Sequence, residues 1–190
     1  MQLLKDMIVT KGRVDSEHIL KVDGFLNHQI DVQFLNEIGK EFKERFKDQP
    51  VTKILTIEAS GIAVACMVAQ YFAVPVIFAK KTESKNLDAD TYESQVYSFT
   101  KDRYYQIRVS KRYLGSADKV LIIDDFLANG QAVLGLKDIV DQAGAGLVGV
   151  GIVIEKGFQQ GGKLVRDQGI RLESLAVIES MKPGEIVFRP

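Results

Sequence analysis

The sequence predicts an α/β fold built on a mainly parallel, twisted sheet flanked by helices. Three observations carry this expectation. Short runs of strand formers alternate with segments of helical period. The run Val120-Leu121-Ile122-Ile123 has no polar break, as a strand covered on both faces requires. The joins from strand to helix are short and rich in small residues. At 190 residues the chain has the size of one well-filled domain, so 1–190 is read as a single unit.

Taken in order, residues 31–47 place Val32, Leu35, Ile38, Phe42 and Phe46 at helical spacing behind Asp31, whose carboxylate suits an N-cap. Residues 53–58 read as a strand, 61–72 as a helix and 74–79 as the next strand. The strand at 120–125 passes through a small loop into a helix that ends near Gly144, and 146–155 reads as a further strand. Repeated strand–helix–strand units of this kind align their strands in parallel. Two regions break the rhythm. Residues 92–99 alternate like a hairpin strand, with 106–109 as a partner, while 82–90 is too polar to pack and is expected to be a flexible lid. The stretch 82–110 is therefore read as lid and hairpin. Residues 1–35 and the C-terminal tail are expected to form a small hood, with His18 and His28 partly solvated.

Charge and composition narrow the partners. Twenty-five basic and twenty-five acidic residues give a formal net charge of zero. No Lys/Arg block tracks a nucleic-acid backbone, so nucleic acid is not an expected partner. No run of about eighteen apolar residues is present, which argues against a membrane span and for a soluble, cytoplasmic protein. The single Cys66 lies in the apolar run 62–69 and is expected to be a buried core thiol, leaving no disulfide. No group of His, Cys, Asp and Glu has metal-ligand spacing.

The chemistry concentrates at 120–132. Asp124 and Asp125 follow the apolar strand and so emerge at its carboxyl end, where open α/β sheets bind ligands. The small loop Ala128-Asn129-Gly130-Gln131-Ala132 then opens a helix, whose free N–H groups and positive dipole end suit a phosphate. Two carboxylates would repel that phosphate. They are better matched to neutral hydroxyls or to a positive centre, and a ribose 5-phosphate offers both. An acidic pair after a strand, taken alone, also fits a metal site of the phosphatase or Walker-B kind. A second small loop, Glu58-Ala59-Ser60-Gly61, joins the strand at 53–58 to its helix and has exposed N–H groups for another phosphate, although Ser60 equally suits an ordinary N-cap.

The hydrophobic strand, paired acids and small loop resemble the phosphoribosyl-diphosphate (PRPP) signature of the type I phosphoribosyltransferases. The commoner loop of that family reads Ala-Thr-Gly-Gly-Thr, of which only Ala128 and Gly130 match here. The form Asp-Asp-Phe-Leu-Ala-Asn-Gly-Gln-Ala resembles the xanthine-using branch. This resemblance implies the family fold and transfer of the 5-phosphoribosyl group from PRPP to N9 of xanthine, giving xanthosine 5'-monophosphate and diphosphate. It implies that Asp124 and Asp125 act at the ribose, that 128–132 holds the 5-phosphate, and that Ala59, Ser60 and Lys81 meet the diphosphate. Leu20 would pack on the base, Asn27 would bond its edge, and Lys156 would donate to its 6-oxo group. Adenine carries an N–H donor at that position, so a 6-oxopurine is favoured. Mg2+ would arrive bound to the diphosphate, and a homodimer is implied. Guanine or hypoxanthine remains the alternative acceptor, and a non-catalytic PRPP-sensing purine regulator the alternative from another class.

Overall fold

A computed structural model describes residues 1–81, 90–98 and 102–190. The chain begins with a helix that its pattern does not announce, α1 (Gln2–Lys11), because only Leu4 and Ile8 along it are buried. A small antiparallel hairpin follows, β1 (Arg13–Ser16) and β2 (Ile19–Lys21), and then one π-helical turn, Asp23–Asn27. The Asp31 carboxylate accepts from the Phe34 amide at 3.1 Å and so caps α2 (Val32–Arg45). Next come β3 (Lys53–Ile57), α3 (Gly61–Phe72) and β4 (Val76–Ala79).

The antiparallel hairpin β5 (Thr91–Ser98) and β6 (Arg103–Ser110) pairs over its whole length. Residues 82–89 of the lid expected at 82–90, and residues 99–101, lie outside the described residues. After β7 (Lys119–Leu127) and α4 (Gln131–Gln142) the chain turns at Gly144, whose φ of 65° is the left-handed conformation that a helix stop favours. It continues as β8 (Gly146–Lys156), a short α5 (Gly161–Asp167), β9 (Leu172–Lys182) and β10 (Glu185–Phe188).

The main sheet has the order β10-β9-β8-β7-β3-β4. All its neighbours pair in parallel except β10 and β9. From β3 the chain moves outward to β4, whereas from β7 it moves the other way through β8 to β9. Adjacent β3 and β7 therefore flank the point at which strand order reverses, the usual ligand crevice of such sheets.

Alternate residues of β7 feed two separate cores. Leu121 and Ile123 pack with Leu35, Ile38, Phe42, Val64 and Val68 beneath α2 and α3. Val120 and Ile122 pack with Leu136, Ile139 and Val140 of α4, and Val96 and Ile107 of the hairpin join that side. The N-terminal segment is tied to the end of the chain: the Met1 ammonium donates to Leu175 O at 2.6 Å, and Lys5 Nζ to Arg189 O at 2.8 Å.

Cys66 corrects its expectation. It is exposed. Val64, Ala65, Val68 and Ala69 take the buried face of α3, and the 100° advance per residue leaves position 66 on the other side. An apolar run supplies more hydrophobic residues than one helix face can bury.

Phe42 is fully buried in the core beneath α2. Phe42→Ala is expected to cost about 3–5 kcal/mol of unfolding free energy, measured by urea denaturation.

Candidate functional site

The acidic pair lies near the end of β7, which runs two residues beyond it. Asp124 is 5% and Asp125 7% exposed. The Asp125 amide donates to Asp124 Oδ1 at 3.0 Å, which fixes the inner carboxylate. Burial, and then the neighbouring Asp125 charge, pushes the Asp124 carboxyl well above the usual carboxylate range, with Lys81 opposing. Beside it, Thr56 Oγ1 is buried and has no hydrogen-bond partner among the described residues. Gly61 makes this approach possible: a β-carbon there would collide with Thr56 Oγ1 and lie 2.8 Å from Asp124 Oδ1. Sequence reading missed Thr56, because a threonine inside a strand looks like an ordinary strand former.

The loop after β7 turns at Gly130, whose φ of 83° suits glycine and which stands at the N-cap of α4. No side chain caps this helix start. Gln131 and Ala132, read as loop residues, already form its first turn. The N-terminal amide donors thus face a cleft of about 230 Å³ lined by residues 126–133 together with Val96, Tyr97 and Tyr105. The tyrosines come from the hairpin, far away in sequence. Burial, and then the Asp124 charge, raises the Tyr105 phenol pKa.

The second loop follows β3. Its Glu58–Ala59 peptide is cis, Ala59 is exposed, and Ser60 stands before α3 without bonding to the helix through its side chain. The Lys81 amide donates to Glu58 Oε1 at 2.6 Å, and Lys81 Nζ sits 5.4 Å from the Tyr105 ring centroid. The structure thus brings Lys81, the 58–60 loop and Asp124 to one side of the crevice.

The other expected residues approach from the N-terminal segment. Asn27 closes the π-helical turn and its Nδ2 donates to Asp125 Oδ2 at 3.5 Å. Lys156, the last residue of β8, donates from Nζ to His18 O at 2.6 Å and stands 5.7 Å from the Phe126 ring centroid. Burial lowers its pKa. Leu20 is buried in β2, two residues from that carbonyl. His18 and His28 are exposed. A cleft of about 560 Å³ opens along β4 and β6 around Phe78, Arg112 and Tyr113 and is lined by none of the expected site residues.

The model of the phosphoribosyl transferase domain matches residues 26–171. The chain belongs to the phosphoribosyltransferase family. It is 61% identical, over all of both chains, to a protein of Clostridium novyi (strain NT) named xanthine phosphoribosyltransferase. A protein of the same name from Clostridioides difficile (strain 630) is 63% identical over the full length of both. Among solved structures, an adenine phosphoribosyltransferase of Giardia lamblia with 9-deazaadenine superposes with a TM-score of 0.78 at 23% identity, covering 92% of this chain and 96% of its own. That of Trypanosoma brucei, with AMP, pyrophosphate and ribose-5-phosphate, gives 0.77 at 21% identity, covering 92% and 78%. These two share the family fold. No helix among the described residues is long and apolar enough to cross a membrane.

The upward displacement at Asp124 has a thermodynamic sign. Ionising this carboxyl opposes folding, so its cost grows as pH rises above the unfolded value of about 4. Asp124→Asn keeps the acceptor for the Asp125 amide and removes the charge. Its unfolding free energy is expected to exceed that of wild type at pH 7, with the gain gone near pH 3; thermal unfolding across this range checks it.

Proposed function

We propose that this chain transfers the 5-phosphoribosyl group from PRPP to N9 of xanthine, forming xanthosine 5'-monophosphate and releasing diphosphate. One observation carries the reading: two buried carboxylates stand between two small helix-opening loops at the reversal point of the sheet. The full-length likeness to proteins named for xanthine supports this base over guanine and hypoxanthine.

In this proposal the amides of 128–132 take the 5-phosphate. Asp125, with Asp124 behind it, accepts from the ribose hydroxyls and favours positive charge at the anomeric carbon. Ala59, Ser60 and Lys81 hold the diphosphate as the bond from the anomeric carbon to its oxygen breaks and the bond to N9 forms. Catalysis then rests on positioning and on charges arranged before the reaction begins. The N9 proton leaves to solvent, since weakly acidic xanthine needs no strong general base.

Lys156 donates to the 6-oxo group, Asn27 to the 2-oxo group, and Leu20 packs on the ring. Both donors rest on protein acceptors in this structure. Exchanging those acceptors for the oxo groups of a base keeps each donor satisfied.

Mg2+ belongs to the same proposal. No group of three His, Cys, Asp or Glu among the described residues is placed to cage a metal, and Mg2+ is commonly held by substrate phosphates and water. Its chemistry is to neutralise the departing diphosphate. The working state proposed is a cytoplasmic homodimer, with residues 1–35 and the C-terminal tail as a hood over the base.

The protein incubated with PRPP and Mg2+ is expected to release diphosphate fastest with xanthine. Faster release with guanine or hypoxanthine would reassign the acceptor, and none with any purine base would favour a regulator. Lys156→Ala is expected to raise KM for xanthine about tenfold or more while leaving PRPP affinity unchanged. Equal loss of both would make the lysine structural.

A further inference from the structure

Between the loop after β7, which the proposed reaction uses for the 5-phosphate, and the end of β8 that carries Lys156 lies α5, a helix with no role so far. Its first residue is pressed against the loop after β7. The Gly161 amide donates to Ala128 O at 2.9 Å. A β-carbon on Gly161 would collide with Ala128 O and stand 2.6 Å from the Gly130 amide nitrogen, so only glycine permits this contact.

The far end of the helix is fastened beside Lys156. Arg166 Nη1 and Nη2 donate to the two oxygens of Glu155, each at 2.8 Å, and Ser174 Oγ donates to Oε2 at 2.5 Å. Glu155 is 1% exposed and immediately precedes Lys156 in β8. Burial alone would raise the Glu155 carboxyl, but Arg166 and Ser174 outweigh it and hold it below its ordinary value. Gly162 leaves the space this pair occupies: a β-carbon there would collide with Glu155 Oε1 and lie 2.6 Å from Arg166 Nη1.

We infer that α5 is a positioning strut anchored at both ends, with Gly161 setting the phosphate loop at one end and the Arg166–Glu155 pair setting Lys156 at the other. The inference rests on the proposed function. A two-pronged guanidinium–carboxylate bond fixes direction as well as distance, and a misplacement of about 1 Å is costly when the reacting groups must align. None of Gly161, Glu155 and Arg166 touches the reacting atoms in this scheme; each acts through a neighbour.

The test is a crossed pair of variants, each assayed for KM of PRPP, KM of xanthine, kcat and thermal midpoint. Gly161→Ala is expected to raise KM for PRPP about tenfold and to leave KM for xanthine within about twofold; Arg166→Met should do the reverse. Arg166→Lys, which keeps the charge but cannot make the two-pronged bond, should recover part of the loss, and it serves in place of Arg166→Met if that variant does not fold. Equal changes in both KM values, or none in either, would overturn the strut. Wild-type protein that releases no diphosphate with any base removes the proposed function and the strut with it. An active wild type whose variants fail to split removes the strut alone.

Discussion

Everything in this molecule depends on β7 being covered on both faces. Leu121 and Ile123 enter one core, Val120 and Ile122 the other, and neither can be exposed without opening a layer of the protein. The strand is therefore fixed in register between β3 and β8. Residues that follow its apolar stretch have one place to go, the carboxyl edge of the sheet. The acidic pair reaches the crevice because hydrophobic burial delivers it there, at a cost in desolvation that falls mainly on Asp124.

That cost also shapes the surroundings. Asp124 receives an amide from Asp125, has Gly61 in place of a larger neighbour, and feels the opposing charge of Lys81. Asp125 receives Asn27 from the N-terminal segment. The surroundings of Lys156 are organised similarly, since Lys156 is held by His18 O while Glu155 behind it is neutralised by Arg166. Both regions are tied to the sheet through buried carboxylates, and each carboxylate has its own donors.

Much of the architecture was legible because two signals agreed. The period-3.6 pattern of Val32 to Phe46 and the Asp31 cap mark the same helix, and the unbroken apolar run at 120–123 marks a central strand. Where only one weak signal existed, reading failed. Helix α1 buries only Leu4 and Ile8, so its pattern is too sparse to stand out. Cys66 is exposed although its neighbours are apolar, because a hydrophobic run does not say which face of the helix each residue takes. In the site, Asp124, Asp125 and the 128–132 loop were legible as a contiguous motif. Thr56, Tyr105, Glu155 and Arg166 were not, since each acquires its meaning from a neighbour distant in sequence.

By itself the sequence determined the strand–helix alternation, the acidic pair and the small loop that opens α4. These are local matters of periodicity, capping and residue size, which a chain carries wherever it folds. Only the tertiary structure decided that β3 and β7 lie side by side, and hence that the loops at 58–60 and 128–130 share one crevice. It also decided that Asn27 reaches Asp125 and that α5 spans from Ala128 to Glu155. Those placements come from pairing and packing between segments far apart in the chain, where the burial of many apolar residues at once selects one arrangement.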